Sequence, residues 1–193
     1  MKLLLGSGTD VLPLKYVENR DVFKTGDLVL YRGTSFLAKG IQYFDNAYYN
    51  HIGVVVKVDE WDRVLTLDMW SQGLWFGPLS RRMAGYKDFC ILRPCAMHGK
   101  VDEAIKSILQ SWDGREIKYD TSLILRVAII KKTGIDLTGL GAKSNFICSE
   151  FAQFYTHLLG LDVYDNINLI TPQDFLRYKD ENFTTLLDTA AKK

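Results

Sequence analysis

Neither sign of charge is in excess: 24 Lys and Arg stand against 23 Asp and Glu, for a net charge of +1. The only adjacent basic pairs are Arg81–Arg82, Lys131–Lys132 and Lys192–Lys193. That balance excludes an electrostatic nucleic-acid binder, and each pair reads as solvated surface or tail. Cysteine is scarce too. Cys90, Cys95 and Cys148 are too few, and odd in number, for a disulfide-stapled secreted fold. With no second Cys or His pair at metal-ligand spacing, the chain predicts no zinc site and three free thiols in a reducing compartment. Long apolar runs are also missing. The leader MKLLLGSG has three consecutive leucines, and SLILRVAII at 122–130 is broken by Arg126. Neither reaches a signal-peptide core or a membrane span. The expectation is a soluble, cytoplasmic protein with no integral membrane segment and no nucleic-acid partner.

What is present is enough for one domain: 193 residues of near-average composition support a sizeable core. Residues 1–24 carry little pattern and read as a loosely packed lead-in. Thr25-Gly26-Asp27 is a turn signal before a short buried strand, LVLY. Residues 35–49 suit a short helix and a loop. Two strands, 51–58 and 63–70, are joined by residues 59–62, with further strand pattern at 73–77 and 89–93. Val101, Ala104, Ile105, Ile108 and Leu109 form one face of a helix over 100–112, stopped at Asp113-Gly114. Residues 122–130 read as buried helix or loop, and 131–145 as a loop leading to Cys148. CSEFAQFYTHLLG is an amphipathic helix closed by Gly160, and Thr171-Pro172-Gln173-Asp174 opens a short last helix. The fold class is α+β, with the domain over 25–180 and a tail over 181–193.

Two residues stand where a thiol nucleophile and its base belong. Cys148 heads a helix, where the positive end of the dipole favours thiolate. His51 opens the apolar, β-branched run NHIGVVVKV, at the start of a strand. With 59–62 as the loop, Val58 faces Arg63, Gly53 faces Asp68 and His51 faces Trp70. His51, Gly53 and Asp68 then share one face of the sheet, and Asp68 is a diagonal neighbour of His51 across a residue without a side chain. A carboxylate there would orient the imidazole; the alternative is a strand-edge aspartate directed at water. A register slip of one residue would send Asp68 to the other face. His157, two to three turns down the Cys148 helix, is structural. The aromatics Tyr48, Tyr49, Trp70, Trp75 and Phe76 read either as core or as the lining of a substrate groove.

GDLVLYRG at 26–33, NHIGVVV at 50–56, LTLDMW at 65–70, GREIKYD at 114–120, NFICSEFAQ at 145–153 and TPQDF at 171–175 occur in one order. In that order the chain resembles the permuted papain-like amidases of the YaeF/YiiX group, relatives of NlpC-type hydrolases in which the cysteine helix follows the histidine strand. The resemblance implies a circularly permuted papain-like α+β fold, an antiparallel sheet with the nucleophile helix packed against it. It implies Cys148 as nucleophile, His51 as base and Asp68 as the acidic residue orienting His51. Relatives commonly carry glutamate where this chain has Asp68, and a polar residue near the oxyanion site where it has Tyr31. The Tyr31 hydroxyl is either an oxyanion donor or part of a core aromatic; the Cys148 backbone N–H at the helix start is the more dependable donor. Within the GREIKYD match, Asp120 reads as a cap for the next turn.

The resulting expectation is a thiol hydrolase cleaving an amide or ester of a small molecule, peptide or lipid acyl group through an acyl-enzyme, with no metal or organic cofactor. Two alternatives stand beside it. Asn145, Cys148 and Glu150 after a strand histidine are also similar to the lecithin–retinol acyltransferase group, which implies lipid acyl transfer or phospholipase action. The other is a catalytically silent papain-like module that binds a ligand or partner.

Overall fold

The short apolar run LVLY lies inside the strand Leu28–Gly33 (β1), which is paired on both sides. Its side chains are buried on both faces, which is why the run is apolar without alternation. A computed structural model describes residues 14–84, 86–96, 98–112, 117–135, 147–161, 170–177 and 182–190. The Asp113-Gly114 helix stop, Asn145 and most of the loop before Cys148 lie outside them. The other strands are His51–Val58 (β2), Val64–Trp70 (β3), Gly73–Pro78 (β4), Tyr86–Pro94 (β5) and Phe183–Asp188 (β6). Together with β1 they form one antiparallel sheet in the order β4-β3-β2-β1-β5-β6. The helices are Leu14–Glu18 (α1), Phe36–Phe44 (α2), Leu79–Met83 (α3), His98–Trp112 (α4), Thr121–Thr133 (α5), Cys148–Leu158 (α6) and Pro172–Arg177 (α7). No helix among the described residues is long and apolar enough to cross a membrane.

Each face of the sheet has its own core. On one, Leu28, Leu30, Ile52, Val54, Leu67 and Met69 meet the apolar stripes of α4 and α6, including Val101, Ile105, Ile108, Phe151 and Tyr155. On the other, Val29, Tyr31, Val55, Phe89 and Ile91 meet Leu79 and Met83 of α3, with Tyr16 and Phe23.

That second core corrects the reading of residues 1–24 as a loose lead-in. Tyr16 and Phe23 are 2% and 3% exposed, and their rings contact each other and then Phe89 at 5.9 Å centroid spacing. A second correction lies at the other end: within the expected tail over 181–193, Phe183–Asp188 is an edge strand on β5. Residues 121–133 settle as helix, with Asp120 accepting the Leu123 N–H at 2.9 Å as N-cap and Gly134 at φ 72° closing it.

The β2–β3 turn differs in detail from the expected one. Val58 pairs with Val64 rather than Arg63, and a bulge between Val55 and Lys57 restores the offset, giving Val54↔Leu67. Asp59 organises the turn by accepting the Trp61 and Arg63 N–H groups at 3.1 and 2.8 Å, with Asp62 at φ 55°.

Lys131 is no solvated surface lysine. Its ammonium sits 2.8 Å from both Asp45 and Asp174, and Thr171 donates to Asp45 at 2.6 Å. The cluster ties α5 and α7 to the end of α2.

Asp27, 1% exposed, is held by Arg93 through two hydrogen bonds of 2.8 Å. Arg93→Met leaves that carboxylate buried without its counter-charge, and about 3 kcal/mol of stability is lost. Adding Asp27→Asn costs less than the two single losses summed. Urea unfolding of the singles and the double measures this coupling, and strictly additive costs would refute it.

Candidate functional site

His51 enters β2 through a tightly bonded approach. Asn50 Oδ1 accepts from the Gly33 N–H at 2.8 Å and from Gln42 Nε2 at 3.0 Å, while the Asn50 N–H donates to the Tyr31 carbonyl at 3.0 Å. Gln173 of α7 accepts the Tyr48 and Tyr49 N–H groups at 3.0 and 3.3 Å. The imidazole is 5% exposed and packed among the rings of Tyr31, Trp70 and Tyr86 at 5.5, 4.9 and 6.1 Å. Burial, and secondly the charge of Arg82, push its pKa down to about 3. It is therefore a neutral base at pH 7, and its Nε2 has no hydrogen-bond partner among the described residues.

Gly53 makes room for Asp68. The paired register ends at Val54↔Leu67; continued by one residue, it sets Gly53 across from Asp68. A Cβ on Gly53 would lie 1.6 Å from Asp68 Oδ1 and 3.3 Å from the Tyr31 hydroxyl. The carboxylate and the phenol thus converge over the glycine, on the His51 face of the sheet.

Asp68 does not hydrogen-bond to His51. Both its oxygens are buried, and neither accepts a hydrogen bond from the described residues. The cation beside it is Arg82, whose Nε lies 3.4 Å from Oδ2. Arg82 is itself held between indoles, 4.4 Å over Trp70 and 3.6 Å over Trp75. Burial raises the Asp68 pKa to about 7, and Arg82 pulls in the other direction. This overturns the reading of Arg82 as solvated surface: its side chain is 12% exposed.

Cys148 approaches from the other face. Ile147 is extended (φ −100°, ψ 168°) and Cys148 begins α6; Glu150, three residues into the helix, accepts the Ile147 N–H at 2.9 Å. The Ser149 hydroxyl donates to the Ile170 carbonyl at 2.7 Å and pins the helix start. The sulfur meets the backbone N–H groups of Ile52 and Ser149 and the Tyr119 hydroxyl, all of which favour thiolate, yet burial outweighs them and pushes the pKa to about 12. The expectation of a dipole-lowered thiol is therefore corrected: the thiol is 4% exposed, and a helix terminus is worth at most about 2 kcal/mol.

Tyr119 links two openings. Cys148 lines a small cavity of about 40 Å³ with Asn50 and Tyr119. His51 lines a larger one of about 480 Å³, which Asn50 and Tyr119 also border. Tyr31, 0% exposed, sits behind His51 with its hydroxyl over Gly53, where its core reading describes it. Among the aromatics flanking the site in sequence, Trp70 lines the larger cavity and Tyr49 is core. Trp75 clasps Arg82, Tyr48 donates to Asp88 and Phe76 is exposed. Arg82 and the Tyr119 hydroxyl are the site groups the sequence reading missed. A carboxylate inside VLTLDMW needs a cation, and that need was the available signal for Arg82.

Two outcomes follow. Gly53→Ala drives a methyl into the Asp68 carboxylate and costs about 1–3 kcal/mol; unchanged thermal stability would contradict the close approach. Between pH 4 and 7 the folded chain keeps the Asp68 proton that the unfolded chain has released, so this group makes stability fall as pH rises. His51, neutral when folded down to about pH 3, acts in the opposite sense below its ordinary 6.5. In Asp68→Asn the downward contribution vanishes, and the stability-versus-pH slope rises by up to about 1.4 kcal/mol per pH unit over that window. Urea titrations at several pH values test it; parallel curves for variant and wild type would count against a proton held on Asp68.

No protein-family model matches this chain, and no curated protein matches it. Among solved structures, the metalloprotein yiiX from Escherichia coli O157:H7 matches with a TM-score of 0.50 at 15% identity, covering 86% of this chain and 97% of that one. In this chain, no group of three or more His, Cys, Asp or Glu among the described residues could hold a metal ion. At that identity the likeness is one of fold, and this chain carries the α+β fold of yiiX.

Proposed function

We propose that the chain is a thiol hydrolase with the permuted papain-like arrangement, its cysteine helix following its histidine strand. Cys148 Sγ forms the bond to an amide or ester carbonyl carbon, and its proton passes to His51 Nε2. His51 then gives that proton to the departing amine or alcohol as the C–N or C–O bond breaks. The backbone N–H at the start of α6 stabilises the oxyanion. Water, deprotonated by His51, releases the acid and restores the thiol. Asp68 stands on the imidazole's face of the sheet, across Gly53, and holds Arg82 in place.

The observation that carries this reading is the Ile52 N–H at the Cys148 sulfur, which sets the thiol beside the residue next to His51. The resting pair is neutral thiol and neutral imidazole, so proton transfer accompanies attack. A specific observation favours the silent binding module as second reading: Cys148 is 4% exposed, with the Tyr119 hydroxyl on its sulfur.

Intact-protein mass spectrometry after exposure to p-nitrophenyl acetate separates the two. The hydrolase gains one acetyl group on Cys148, absent in Cys148→Ala, and His51→Ala slows acylation by about 10²–10⁴-fold. A protein with no adduct on Cys148 and no turnover above the Cys148→Ala background is the binding module.

A further inference from the structure

The larger cavity has a charge character that the proposed chemistry does not use. Its charged lining residues are Arg81 and Arg82, and neither Asp nor Glu is among the described residues that border it. Asp68 stands behind Arg82, 0% exposed, and offsets at most one of the two charges. Arg81 has no ion-pair partner among the described residues, and its charge bears directly on Arg82. Arg82 Nε and one terminal nitrogen are buried without a hydrogen-bond acceptor, while the two indoles fix the plane of the guanidinium.

Other features of the lining have the same sense. Thr34, Ser35 and Ser71 add hydroxyl groups. Ser35 is the N-cap of the nine-residue helix α2, so the positive end of that dipole starts at this wall. Aromatic walls exclude water and strengthen the field of the two cations. A volume of about 480 Å³ suits a small molecule or one end of a larger one.

We propose that this cavity is an anion-binding subsite, with Arg81 and Arg82 as its cationic wall, which receives a carboxylate or phosphate group of the molecule presented to Cys148. Only the last clause rests on the hydrolase reading. The substrate class is thus an amide or ester bearing an anionic group close to the scissile bond. A planar guanidinium with a fixed plane matches the two oxygens of a carboxylate or phosphate, and the exposed Arg81 adds long-range attraction.

The test has a binding arm and a turnover arm. In the first, the full chain is titrated with inorganic phosphate and, separately, with glutarate, while the NMR signals of the Arg82 Nε–H and Trp70 indole N–H are followed. The expected result is a saturable shift with at least one anion, weakened by added salt. Arg81→Gln should bind about tenfold more weakly or worse. Saturation by phosphate alone assigns a phosphate group, and saturation by glutarate alone assigns a carboxylate. Absence of saturable shifts, or affinity unchanged in Arg81→Gln, overturns the proposal. Arg81 is exposed, so this variant decides the matter even where Arg82→Gln fails to fold.

In the turnover arm, mono-p-nitrophenyl glutarate is compared with p-nitrophenyl acetate. The kcat/KM ratio should favour the anionic ester by about tenfold or more, and that preference should vanish in Arg81→Gln. A preference retained in full by Arg81→Gln overturns the subsite. If neither ester acylates Cys148, the hydrolase reading falls, and the binding arm alone decides whether the cavity holds anions.

Discussion

The cost of keeping charge out of water governs this site. His51, Asp68 and Cys148 are each 5% exposed or less, and burial is the first cause of every displaced proton affinity among them. Each group is pushed toward its neutral form: imidazole, carboxylic acid and thiol. Arg82 is the charge retained beside Asp68. Toward an ionised Asp68, Arg82 at 3.4 Å supplies about 5 kcal/mol of attraction at an effective dielectric near 20, against a desolvation penalty of several kcal/mol per ion, which leaves the acid's pKa at about 7. The two quantities nearly balance, so the pair has little surplus. The indoles of Trp70 and Trp75 supply part of what the missing hydrogen bonds do not.

That economy depends on strand register. Asp68 lies over Gly53 because no side chain occupies that point, and it lies on the His51 face because β2 and β3 meet at the offset Val54↔Leu67. The turn alone would not give this offset. Its residues pair Val58 with Val64, one position off, and the extra residue between Val55 and Lys57 corrects the pairing before the site is reached. Without the bulge, the offset at Gly53 would shift by one and place Leu67 or Met69, which belong to the opposite core, where Asp68 now stands.

These two levels were unequally legible in the sequence. Alternation and turn residues marked β2, β3 and β4 within a residue or so, and the spacing of Val101 to Ile108 marked α4, because those signals are local. Counting back from the turn set Gly53 opposite Asp68 correctly, although the turn itself was one residue longer than assumed. What stayed hidden was long-range. Phe183–Asp188 has a weak pattern, since as an edge strand it half-buries its side chains, and only its partner β5 makes it a strand. Tyr16 and Phe23 are core because α3 and β5 come to them. Arg82 sits in a five-residue helix whose neighbours in sequence look solvated, and its role is set by Asp68, Trp70 and Trp75 of other strands. The thiol at the head of α6 illustrates the same limit. Helix position is local and pointed to a lowered pKa, whereas burial is tertiary and decided the outcome.

The arrangement of faces explains why the site can combine a buried base with a nucleophile from a separate element. Ile52 and Val54 point to the α6 core, while Gly53 and Val55 point to the opposite one. A histidine on the His51 face would normally be screened from α6 by the sheet itself. His51 escapes this because it is the first residue of β2, at the margin where the sheet stops. There the Ile52 N–H, beyond the paired part of the β2–β3 register, is available to the Cys148 sulfur. The same margin leaves Asn50 and Tyr119 bordering both cavities. A ligand spanning them would pass Tyr119 with one end toward the thiol and the other toward Arg81 and Arg82. The nucleophile would then come from one face of the sheet, and the base and the cationic wall from the other.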